Sequence, residues 1–177
     1  MQKTVLLSIM LIVLSIAGFA SADQTRLIFS KRTVYDTQTG LTWAKQADFD
    51  KNNLEFATAY IRGLAKAGMG GANDWRMPTK DELETLASYA KEAGFDGKAP
   101  DNKRFQFFTA LGFENMQNDW YWTSTPHPNY PNNNYYVHMG NNIIDGGYVE
   151  LKGYILPVRG SILSTYKFPN YKWDFIP

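Results

Sequence analysis

Apolar residues change their spacing twice along this chain, and those changes fix its fold class. Phe56, Tyr60 and Leu64 stand four residues apart with Ala57 and Ile61 beside them, after the capping candidates Asn52 and Asn53 and before Gly68, Gly70 and Gly71. Leu83, Leu86, Ala87 and Ala90 form the buried stripe of a second helix that Gly94 ends, and Lys103 to Leu111 reads as a shorter third with Phe105 and Phe108 inward. From Trp120 the pattern becomes strand-like: "WYWTST", "NYYVHM", "GGYVEL" and "YILPVRG" are short aromatic and β-branched runs separated by Asn, Gly and Pro. Ahead of the helices, "RLIFSKRTVYDTQTGLTWAK" alternates around the turn residues Asp36 to Gly40 and reads as a β-hairpin ending near Trp43. A hairpin, two or three helices, then several strands is an α+β order.

The first 22 residues stand apart from this pattern. Lys3, the apolar run "VLLSIMLIVLSIAGF" and Ala20-Ser21-Ala22 read as a secretory signal with a small-x-small cleavage site, so the mature protein is expected to start at Asp23 and to be periplasmic or secreted. No cysteine follows to carry a lipid, so no stable membrane anchor is expected after cleavage. Cleavage removes one lysine and no acid, which leaves cations and acids equal at 17 each. That balance argues against nucleic acid as the partner. With no cysteine anywhere, disulfides, thiolate metal sites and cysteine nucleophiles are excluded, and packing alone must hold the core.

The segment "GANDWRMPTKDELETL" carries a sharply specified helix start. Pro78 biases Met77 away from helical geometry, and Thr79 with Glu82 three residues on makes a capping box. Trp75 is expected to fill the junction of helices and sheet, and Arg76 to pair with Asp74 or Glu82. An anion clamp at Arg76 is the alternative. Trp43, Trp122 and Arg159 are assigned to the scaffold in the same way. Alternation along 120–124 puts Trp120 or Trp122, and Val137 or Tyr136, with Phe56 and Phe108 in the core, and leaves one of each pair for the surface.

Taken together, "DTQTGLTWAK", "GGANDWRMPTKDELETL", "YWTSTP" and "GGYVELKGYILPVRG", in that order and spacing, resemble the Lcl C-terminal domain family, named after the terminal domain of the Legionella collagen-like adhesin. The resemblance covers about residues 33 to 160. It implies a C-type-lectin-like fold, with two main helices packed on small twisted antiparallel sheets and a long irregular loop region. It also implies a surface or periplasmic module; the founding adhesin binds sulfated glycosaminoglycans. The sulfatase-modifying enzymes of the same fold carry a comparable Trp-Arg-Met-Pro-Thr segment, but their oxidative chemistry needs cysteine. The calcium-dependent lectins need several oxygen ligands in the long loop, and residues 126 to 142 contain no carboxylate.

These readings divide the chain into a signal at 1–22, one domain at 23–160 and an aromatic tail at 161–177. The candidate site is the loop 125–147, with His127, Asn129, Tyr130, Asn132, Asn133, Asn134, Tyr135, Asn141 and Asn142 as ligand-binding residues, because amides and flat aromatic faces suit sugars and peptides. His127 and His138 with Asp145 make a poor metal set, so neither metal nor cofactor is expected. The expected function is an exported, non-catalytic module that binds a glycan or another cell-envelope or matrix polymer. The alternatives are an assembly protein whose partner is another protein, and a hydrolase using acids such as Asp119 and Asp145.

Overall fold

The computed structural model describes residues 26–95, 104–141 and 143–168. The expected signal at 1–22, Asn142, and the tail residues Tyr171, Trp173 and Phe175 lie outside the described residues. In chain order the elements are β1 (Leu27–Phe29), β2 (Thr33–Asp36), β3 (Thr42–Ala44), β4 (Phe49–Asn52), α1 (Leu54–Lys66), a 3-10 turn (Met69–Gly71), α2 (Lys80–Glu92), α3 (Arg104–Leu111), β5 (Trp120–Pro126), β6 (Asn133–His138), β7 (Ile144–Tyr148), β8 (Gly153–Ile155) and β9 (Val158–Arg159). The described chain is α+β, with three helices and two sheets.

The first sheet, ordered β1-β2-β3-β9, contains the expected hairpin as β2 and β3, with Val34 opposite Trp43. Its turn is set by Asp36, whose Oδ1 accepts the Gln38 N–H at 3.0 Å, and by Gly40 at φ +78°. The same carboxylate receives the Arg26 guanidinium at 2.9 Å, and both side chains are fully buried. Arg26 also donates to Thr85 O and lies 4.3 Å from the Tyr89 ring centre, so this ion pair ties the first sheet to α2. Removing either partner would strand a buried charge, a loss of about 3–5 kcal/mol.

The second sheet runs β4-β8-β5-β6-β7. It departs from the all-antiparallel expectation at one pair, because β5 and β8 run parallel with Tyr121 opposite Tyr154. Alternation separates its faces. Tyr121 and Val137 enter a core shared with Trp43, α2 and α3, whereas Trp122 enters a second core with Phe49, Trp75, Ile155 and the buried residues of α1. The sheet is thus covered by α1 on one face and by α2 on the other.

On α1 the structure corrects the expected stripe. Asn53 caps the helix by accepting the Phe56 N–H at 3.0 Å, but Phe56 is 62% exposed and Tyr60 45% exposed. The buried residues are Ala57 and Ile61, with Leu54, Leu64 and Ala65 packed beside them. A small residue at 57 lets the helix close on β4 and β8, and the bulkier 56 and 60 are turned to its flank. On α2 the expected stripe is buried, and Thr85, Ser88 and Tyr89 are buried with it because this helix packs against β5, β6 and α3. Phe108 is fully buried in α3, while Phe105 is only partly so. The first part of the tail returns over the β2–β3 turn, where Leu163 N–H donates to Thr39 O at 2.8 Å.

Candidate functional site

The Trp75 to Glu82 segment is fully occupied in holding the fold together. The Trp75 indole N–H donates to Met69 O at 2.7 Å, and the Arg76 backbone exchanges two hydrogen bonds with Val158. The Arg76 guanidinium forks onto Glu82 at 2.7 and 2.6 Å and reaches Gly160 O with the same Nη2. Glu82 in turn accepts the Thr79 N–H at 2.8 Å and gives its own N–H to Thr79 Oγ1, the completed capping box. The Glu82 hydrogen bond raises the Arg76 pKa against the opposing effect of burial. Pro78 O accepts the Ser124 N–H, Arg159 lies 5.9 Å from the Trp75 ring, and Trp43 and Trp122 are completely buried. An anion arriving at Arg76 would have to displace a carboxylate from both guanidinium nitrogens.

Residues 125–147 are not the long irregular loop expected of them. The end of β5, all of β6 and the start of β7 form an antiparallel meander, with Asn133 opposite Tyr148 and Val137 opposite Ile144. Two of the asparagines stabilise it. Asn133 Nδ2 donates to Gly146 O at 3.2 Å and Asn134 Nδ2 to Thr123 O at 3.1 Å, while Asn141 Oδ1 accepts the Ile143 N–H. Amide side chains compete for backbone groups as readily as they bind ligands, and "NNYYVH" is otherwise rich in strand formers.

The meander divides the candidate residues between its two faces and its tip. On the α2 side, the His127 ring lies 4.8 Å from Tyr130 and 4.9 Å from Tyr135, seated over Gly146 where a Cβ would come within 2.8 Å of it. Tyr130 is 60% exposed at the tip. Asn129 and Asn132 flank it, exposed, with amide side chains unbonded among the described residues.

The opposite face carries a group that residue type alone does not single out. Trp120 stacks on Tyr136 at 4.0 Å and 19°, and Tyr136 lies over Trp122 at 5.5 Å and 25°. His138 meets the Trp120 ring edge-on at 5.0 Å, and Asp145 is the cross-strand neighbour of Tyr136. Trp120 and Trp122 are two apart on β5, so alternation puts them on one face together and does not split them as expected. Helix cover separates them: Trp122 is sealed in the core with α1, whereas Trp120, Tyr136 and His138 are only partly buried. Tyr136 and Val137 do split by alternation. Gly147 and Gly153 seat the stack, since a Cβ on either would come within 3.0 Å of the Trp122 ring.

The electrostatics of this face are mild. Burial raises the Tyr136 pKa, with Asp145 adding to it. Burial lowers that of His138, partly offset by Asp119. His138 Nδ1 accepts the Gly140 N–H, which assigns the proton of the neutral ring to Nε2. The Trp120 indole N–H, the Tyr136 hydroxyl and one Asp145 oxygen have no partner among the described residues. Asp119 is held by Lys51 Nζ at 2.5 Å, and Asp145 Oδ1 by the Gly146 N–H at 2.7 Å. Among the described residues no group of three His, Asp or Glu could hold a metal ion.

With the two faces defined, the comparison with known families is decisive at one point. The model of the Lcl C-terminal domain matches residues 32–159. The chain belongs to the Lcl C-terminal domain family. No curated protein matches it. The matched span includes both principal helices, the scaffold segment and the whole β5–β6–β7 meander, so the stacked face is part of the Lcl domain itself. The glycines that seat Trp122 fall in the "GGYVELKGY" segment. A pattern of Gly facing Trp within one sheet was the available sequence signal for that face, but it becomes readable only once the strand order and register are known.

Proposed function

We propose that this Lcl C-terminal domain is an exported, non-catalytic binding module for a glycan or another cell-envelope or matrix polymer. We also propose that its two helices on small sheets are a variant of the C-type-lectin-like fold. The observation that carries the reading is the Trp120–Tyr136 stack, half-open on a sheet face, with three unengaged polar groups around it. A pyranose presents an apolar C–H face and a rim of hydroxyls, which such a ring pair and such donors and acceptors complement. The exposed tip, with Tyr130, Asn129 and Asn132, extends the surface along a polymer. The non-catalytic reading is supported by Asp119, whose two oxygens are taken by Lys51 and by the Trp120 N–H.

A glycan array probed with the mature protein tests this, followed by retention measurements on the strongest hit. Trp120→Ala should weaken retention about tenfold or more, because a few aromatic anchors carry most of the energy of such contacts. An unchanged retention would remove the stacked face from the reading. A second reading is protein docking, favoured by the exposed Phe56, Tyr148 and Leu151 around the start of α1, where Leu54 N–H donates to Val149 O. It takes precedence if no glycan is retained and an envelope protein is captured in a manner that Phe56→Ser abolishes.

A further inference from the structure

We propose that the groove between the β1–β2 turn and α1 binds an amphiphilic anion, an apolar chain or ring body ending in a carboxylate or phosphate. The groove has a volume of about 470 Å³ and shares no residue with the stacked face. That volume lies in the range of small-molecule sites. Its apolar side is made by Phe49, Tyr60, Leu64 and Met69, with the Phe49 and Tyr60 rings 5.6 Å apart. Its rim carries Lys31, Arg32 and Lys45, against a single lining acid, Glu114.

That acid is already committed. Glu114 Oε1 sits 3.0 Å from Lys45 Nζ, and the two backbones are joined by Glu114 N–H to Lys45 O. Lys31 and Arg32 are exposed and make no ion pair among the described residues, so the rim keeps two uncompensated positive charges. The backbone from which they project is ordered. The turn that carries them is closed by Ser30 N–H to Thr33 O at 2.9 Å and by the 2.6 Å Ser30–Thr33 hydroxyl bond, and Lys45 N–H donates to Arg32 O. The Met69 turn, which lines the groove, is drawn against β2 at Gly70, where a Cβ would come within 2.9 Å of Thr33 Cγ2. Only glycine lets the Met69 turn approach β2 so closely, and Gly70 stands at φ +63°. An apolar wall that leaves Tyr60 45% exposed beside two cations on an ordered turn complements a body that needs covering and a head that needs charge.

The test is calorimetric titration of the mature protein with decyl phosphate below its micellar concentration. Saturable binding is expected. It should weaken about tenfold or more in the Lys31→Glu/Arg32→Glu double variant and about threefold in Tyr60→Ser, while melting curves stay unchanged because all three side chains are exposed. Sedimentation with phosphatidylglycerol vesicles, compared with the monomeric ligand, separates a lipid headgroup from a free amphiphile; charge-sensitive binding in either form supports the proposal. Three results would overturn it. Inorganic phosphate binding as tightly as decyl phosphate would remove the apolar wall from the site. Decyltrimethylammonium binding equally well would remove the cations, and so would indifference to the charge reversal.

Discussion

Two segments of this domain look alike in sequence and differ completely in what their side chains have left to offer. Residues 73–82 and 120–147 are both polar, aromatic and proline-containing. In the first, the indole N–H, both terminal guanidinium nitrogens and the Glu82 carboxylate are all bonded within the fold. In the second, the aromatic stack keeps an indole N–H, a phenol and a carboxylate oxygen unengaged among the described residues. A binding surface is distinguished by hydrogen-bonding capacity not used in folding, and residue type does not reveal that until the partners are known.

The largest expected effect breaks the first segment. Trp75→Ala removes a ring that is 4% exposed at the centre of the α1 core and should cost about 3–5 kcal/mol of stability. A chemical melt reads it directly. An unchanged midpoint would mean that the segment is not scaffold, and Arg76 would return as a candidate clamp. Next in size, Glu82→Ala removes the reciprocal half of the capping box and the Arg76 partner together, while Thr79 Oγ1 still accepts the N–H of residue 82. Loss of the bond to the Thr79 N–H costs about 0.5–1.5 kcal/mol, and the ion pair adds little because the Arg76 side chain is 38% exposed. Binding at the Trp120 face should be unaffected by either change once the protein is compared in its folded fraction.

The contrast also explains which parts were legible in advance. The capping box, the β2–β3 turn and the α2 stripe depend on residues within four positions of each other, so local chemistry specified them. The α1 face was misjudged because Phe56 and Tyr60 are large. Which side of a helix is buried depends on what it packs against, and here β4 and β8 admit Ala57. The two faces of the meander were hidden for the same reason. Asn133 and Asn134 bond to carbonyls 13 and 11 residues away in sequence, a register that no local pattern states. Trp120 and Trp122 have the same strand parity and differ only in helix cover, which is a tertiary fact.

A third measurement sharpens the comparison through pH. His138 on the open face has a pKa lowered from 6.5, chiefly by burial, with Asp119 raising it and Lys51 lowering it. In the unfolded chain the same imidazole takes up its proton first as pH falls, so the unfolded state binds more protons below 6.5. Its contribution to stability is therefore complete above that pH and is lost as pH falls from there through the lower folded value. The melting midpoint of the native protein should drop over this window more than that of His138→Gln. Equal slopes would show that His138 titrates as a free imidazole and that the face is wetter than its geometry implies. The first segment contains no histidine and offers no such handle.

The smallest stability effect belongs to the tip, and it divides the asparagines by what they already bond. Replacing Asn129, Tyr130 and Asn132 together with Ala should change stability by less than about half a kcal/mol per residue, because all three are exposed and neither amide is bonded among the described residues. Replacing Asn133 and Asn134 should cost about 0.5–1.5 kcal/mol each, since each loses a hydrogen bond to a sheet carbonyl. Melting curves and retention on the same preparations read both quantities. If the tip variant folds and loses retention, the polymer track runs from the Trp120 stack over the end of the meander. If it folds and retains ligand normally, recognition is confined to the stack, and the exposed amides serve only to solvate the turn. If the tip variant melts early and the Asn133/Asn134 variant does not, the division drawn between used and unused side chains is wrong at the place where it was made.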